Sequence, residues 1–179
     1  VGKFEDSGVD LGDIMHLILT FAVDPPGIQP DDYLKIVKGF FIGLNVKHDI
    51  DSVLKCIESV PSAIEKLIVI LNMIKDADIK DIGELIRLCK LVFEEFKKLL
   101  ASMIDCTESV PELKALLKKL IAIDITKVID VIMKNMVSII GNLMRARDAF
   151  VDKKFQEFGE ILGGVIYQLF LADKLIAME

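Results

Sequence analysis

The stretch "CIESVPSAIEKLIVILNMIKDADIKDIGELI" (residues 56–86) decides the fold. After the Pro61 break, apolar residues recur three and four apart, as at Ile64, Leu67, Ile68 and Leu71, which is the period of a helix. The segment "AIEKLIVILNMI" (63–74) carries only Glu65, Lys66 and Asn72 as polar positions. A helix that is apolar most of the way round belongs in a core or against a partner. The next Asp-rich stretch is a turn leading into another helix.

The same phrase occurs twice. "CIESVP" at 56–61 returns as "CTESVP" at 106–111, 50 residues later. Each copy is followed by an apolar helix and an Asp-Ile turn, "DADIKDIGELI" (76–86) and "AIDITKVIDVI" (122–132). We read an internal repeat of two similar helical hairpins, about 56–103 and 106–147. The competing reading is that Glu-Ser-Val-Pro is a convenient helix break that arose twice. Two copies are too few for a long solenoid and favour a compact bundle.

Working outward, the periodicity predicts helices near 5–22, 31–45, 49–58, 62–76, 79–103, 110–122, 125–147 and 152–176. Strand signals are missing, with neither clean alternation nor an Asn-Gly or Asp-Gly hairpin turn. The expected fold is all-α: one domain over 1–179, a compact bundle of about seven to eight helices, its two hairpins flanked by Gly-faced terminal helices. "DPPGIQPDD" (24–32) forces a turn, with Pro30 or Asp31 opening the next helix. Asp49, Asp78 and Asp124 are candidate caps, and Ser62/Glu65 and Ser109/Glu112 have capping-box spacing.

The terminal helices share a phrase of their own. "KFEDSGVDLG" (3–12) and "KFQEFGEILG" (154–163) place Phe4, Gly8 and Gly12, and Phe155, Gly159 and Gly163, four residues apart. That spacing puts each triplet on one helix face. Glycine inside a helix costs roughly 1 kcal/mol relative to alanine, so close approach of another backbone is the expected compensation. The partner is either the other terminal helix or the helix at 125–147. Gly164 extends the smooth strip.

Cys56 and Cys106 head the two repeat copies. A disulfide between them would contribute about 4 kcal/mol by loop-closure entropy alone. Alternatively all three cysteines sit apart as small apolar core residues, the expected place of Cys89 among Leu88, Leu91 and Val92.

Composition narrows the function classes. The chain has 179 residues, is 53% hydrophobic and carries a net charge of −6; its mean hydropathy is +0.48. No basic stripe would neutralise phosphates, which disfavours nucleic acid. The longest uncharged stretch, "ILGGVIYQLFLA" (161–172), is shorter than the roughly 20 residues of a membrane span. His16, within an apolar helix, reads as a core or groove residue and His48 as a solvated loop residue. No His-Glu-x-x-His, Cys-x-x-Cys, calcium-loop, phosphate-loop or Gly-x-Ser-x-Gly pattern occurs, so no cofactor, metal or catalytic residue is expected. Glu94, Glu95, Asp148 and Asp152 lie beside basic residues, as on solvated helix faces. The start at Val1 suggests a processed secreted form or an excised fragment.

The order of "KGFFIGLNVKHDIDSVLKC" (38–56), two Cys-headed hairpins and "RDAFVDKKFQEFGEILGGVIYQLFL" (147–171) resembles a diffuse group of uncharacterised secreted, Cys-containing helical repeat proteins of ciliates and other microbial eukaryotes. The resemblance implies secretion and a helical fold, and carries over no site residues. Two functions then account for the surplus of apolar residues. One is a secreted, non-catalytic structural or interaction protein that buries apolar helix surface against itself or other proteins. The other is an extracellular carrier of a lipid or other apolar ligand in an interior cavity.

Overall fold

A computed structural model describes residues 28–75 and 81–171, and every described element is helical. The helices are α1 (Pro30–Gly43), α2 (Asp51–Glu58), α3 (Pro61–Lys75), α4 (Ile82–Met103), α5 (Pro111–Ile121), α6 (Ile125–Lys134), α7 (Met136–Val151) and α8 (Phe155–Ile166). A 3-10 turn, Ile104–Thr107, separates α4 from α5, and a π-helical turn, Tyr167–Leu171, continues α8. The fold is a compact all-α bundle. The expected helix at 5–22 lies outside the described residues.

Local chemistry sets most boundaries. Pro30 opens α1, where its missing N–H costs nothing, and the Asp32 carboxylate accepts the Gln29 N–H at 2.9 Å. Pro61 and Pro111 likewise open α3 and α5 after the two Ser-Val breaks. Asp81 caps α4 by accepting from Glu84 N, and Asp124 caps α6 by accepting from Thr126 N at 2.8 Å. The cap expected at Asp78 lies outside the described residues. Asp49 stands one residue before the α2 N-cap, Ile50, and its carboxylate accepts from Asp51 N.

Three boundary expectations are corrected. The helix expected at 125–147 is two helices, broken at Asn135. There the Asn135 N–H bonds the Val131 and Ile132 carbonyls while its side-chain amide takes Val131 O at 2.8 Å, closing α6 before α7 begins. The last helix starts at Phe155 rather than 152, because Lys153 adopts a left-handed conformation (φ 60°) and Lys154 N returns to Ala149 O. Neither capping box forms: Ser62 lies inside α3 after Pro61, and α5 is capped at Val110 without a side-chain bond.

Among the described residues, two apolar clusters stand out. The larger is centred on the fully buried Phe41, Leu44, Val53, Ile57, Leu100, Leu113 and Leu117, and joins α1 through α6 to the terminal Phe170 and Leu171. The π-helical turn is what carries those last two side chains inward. The smaller cluster, Ile36, Ala146, Ala149, Phe150, Phe155 and Phe158, belongs to α1, α7 and α8 alone. Its Phe150 ring stands edge-on to Phe155 at 5.6 Å.

Candidate functional site

Three features of the described surface and framework bear on function: a glycine-lined helix pair, a covalent seam, and an uncovered apolar line.

The glycine-lined pair is α1 against α8, the most extensive helix contact among the described residues. A Cβ built on Gly159 would collide with the Ile36 carbonyl and lie 2.8 Å from Phe40 N; on Gly163 it would collide with the Phe40 carbonyl and lie 3.0 Å from Gly43 Cα. Reciprocally, Gly39 meets the Gln156 carbonyl and Gly43 the Glu160 carbonyl. Contacts advance together along both helices, so the pair is parallel. At each of these glycines a side chain would strike a backbone carbonyl of the other helix. The partner of the "KFQEFGEILG" face is therefore α1, not the helix expected at 125–147. Phe4, Gly8 and Gly12 lie outside the described residues. Phe155 is buried, but in the smaller cluster. Gly164 contributes its backbone, its N lying 2.7 Å from a Cβ built on Gly43, but its own Cβ position is open, with nothing within 4 Å. The reading of the sequence missed Gly39 and Gly43, although "GFFIG" carries the same four-residue spacing.

The seam runs between α2 and the start of α5. Cys56 and Cys106 form a disulfide with Cα atoms 5.5 Å apart. Ser52 Oγ lies 3.5 Å from Ser109 Oγ, and His48 Nδ1 lies 2.7 Å from Glu112 Oε2. Residues 48, 52 and 56 step by four as 112, 109 and 106 step by three, which is an antiparallel, three-rung ladder. His48 is thus a partner across the seam as well as a solvated residue, and Glu112 serves this contact instead of a capping box. Lys38 adds a long ion pair to Asp51 at 3.8 Å.

Cys89 is half-buried on α4 with a free thiol, and burial pushes its pKa up. A thiol held protonated is a poor nucleophile. His16 lies outside the described residues. Glu95 pairs with Lys98 at 2.9 Å and Asp148 with Arg147 at 3.1 Å, as solvated helix faces do. Among the described residues no group of three His, Cys, Asp or Glu side chains could hold a metal ion, and no helix is long and apolar enough to cross a membrane.

The uncovered line lies on α7. Val137, Met144 and Val151 are spaced by seven and are 60%, 48% and 58% exposed. Gly141, between them, presents no side chain and has open space before it. Beside this line a cleft of about 610 Å³ opens between α7 and α8, lined by Arg145, Glu157 and Glu160 together with Ile161 and Gly164. Its charged, open lining does not suit an apolar ligand.

No protein-family model, curated protein or solved structure matches the chain.

Proposed function

We propose that the protein is a non-catalytic structural or interaction protein of the extracellular space that buries apolar helix surface in an assembly. The supporting observation is the line Val137, Met144 and Val151 on α7, three large apolar side chains left in water at heptad spacing. One exposed valine means little, but three on one face form the kind of seam that helices bury against one another. The Cys56–Cys106 disulfide is compatible with an oxidising compartment.

Native mass spectrometry of the purified protein tests the reading. Protein-only oligomers are expected, and they should dissociate in a Val137→Lys/Met144→Lys variant whose circular dichroism is unchanged. A monomer that retains lipid would point instead to the carrier function, and a monomer with neither would count against both.

A further inference from the structure

The disulfide holds a helix too short to hold itself. α2 is 8 residues long, below the roughly 12–15 at which isolated helices become even marginal in water. It is bounded by chain reversals: Asn45 in the left-handed region (φ 66°) before it, and the Ser59–Val60–Pro61 break after it. Two of its side chains, Val53 and Ile57, are fully buried. The remaining links across the seam are exposed. The Ser52–Ser109 contact is at the limit of hydrogen bonding and the His48–Glu112 pair is exposed to solvent, as is the Lys38–Asp51 pair that ties α2 to α1. Such surface pairs contribute little. The bridge to Cys106 adds a covalent tie across this seam to the short chain connections that join α2 to α1 and α3.

By contrast, the α1–α8 pair and the smaller cluster contain no residue of α2. We propose that α2 is a redox-locked flap: reduction of Cys56–Cys106 opens it locally, lifting Val53 and Ile57 away from the 3-10 turn Ile104–Thr107 and out of the core, while the α1–α8 pair stays closed. This does not depend on the assembly reading. The chemistry is ordinary exchange with a dithiol. A dithiol thiolate attacks Sγ of Cys56, the less buried of the two, and Cys106 leaves as a thiolate that takes a proton from water. The reagent's second thiol then displaces Cys56 and closes a cyclic disulfide, so the dithiol supplies both electrons.

Hydrogen exchange measured by mass spectrometry, with and without dithiothreitol, tests this. Alkylation of two thiols beyond Cys89 verifies reduction. The expected result is that amides of Leu54–Glu58 exchange at least ~10-fold faster in the reduced protein, and by a clearly larger factor than those of Val37–Phe41 and Gly159–Gly163, which report only the global loss of stability. A Cys56→Ser/Cys106→Ser variant should show the same pattern without reductant. Unchanged protection of α2 in the reduced protein would overturn the proposal. Equal loss of protection in α2, α1 and α8 would also overturn it, because the bridge would then be a global staple.

Discussion

Neighbouring glycines in α8 have opposite tasks. A side chain at Gly163 would strike the α1 backbone, whereas one at Gly164, the next residue, would face open space. Gly163→Ala should therefore force the helices apart and cost about 1–3 kcal/mol, the range of overpacked sites. Gly164→Ala should stabilise by roughly 0.4–1 kcal/mol, because it restricts the unfolded chain and strains nothing. Urea denaturation of the two variants checks the pair, and shifts of the same sign would refute the assignment. Lys153 offers a second single-residue test. Its left-handed backbone costs a side chain with a Cβ roughly 1 kcal/mol, so Lys153→Gly should raise the thermal midpoint. At this scale the sequence was legible in part. The four-residue spacing of Gly159 and Gly163 identified a packing face, but spacing alone does not identify its partner. Gly39 and Gly43 carried the same signal, hidden by the phenylalanines between them.

At the scale of elements, helix ends are held by identifiable groups, and one of them makes stability depend on pH. Asp124 caps α6 and its carboxyl is held below the ordinary carboxylate range, first by the Thr126 hydroxyl and then by the Thr126 N–H. Since its folded pKa is the lower one, the cap's contribution is present above the unfolded value and is lost as pH falls through the folded value. Asp124→Ala should lower the thermal midpoint by a few degrees near neutrality, and the gap to wild type should close on acidification. A gap that persists at about pH 2 would remove the charged cap from the account. Element existence was readable from apolar period, yet the break at Asn135 was not. The apolar pattern runs through residues 125–147 without interruption, and the break comes from one side-chain amide competing for the Val131 carbonyl. The ladder of 48, 52 and 56 against 112, 109 and 106 was equally hidden, since its two sides step at different intervals.

For the whole molecule, the covalent link and the glycine pair act over different lengths of chain. The disulfide spans a sequence separation of 50, and its removal should destabilise by up to about 4 kcal/mol. Equilibrium denaturation of the Cys56→Ser/Cys106→Ser variant measures this, and an unchanged midpoint would show that native strain cancels the entropy. The repeated "ESVP" phrase pointed to these two cysteines because each sits at the same place before its break. The exposed line on α7 was not legible, because exposure depends on which helices cover which faces.

The meeting of α1 with α8 also has a consequence for how the chain acquires its shape. Gly39 and Gly159 are far apart along the polypeptide, so their contact belongs to the high-contact-order part of the fold, in which loop-closure entropy must be met before any contact rewards it. During synthesis the glycine face of α1 has no partner until α8 has left the ribosome. Docking of α8 is then expected to come late, after the rate-limiting barrier. Gly159→Ala should accordingly speed unfolding in stopped-flow experiments and leave the folding rate nearly untouched; a slowed folding limb would place the helix pair in the nucleus instead.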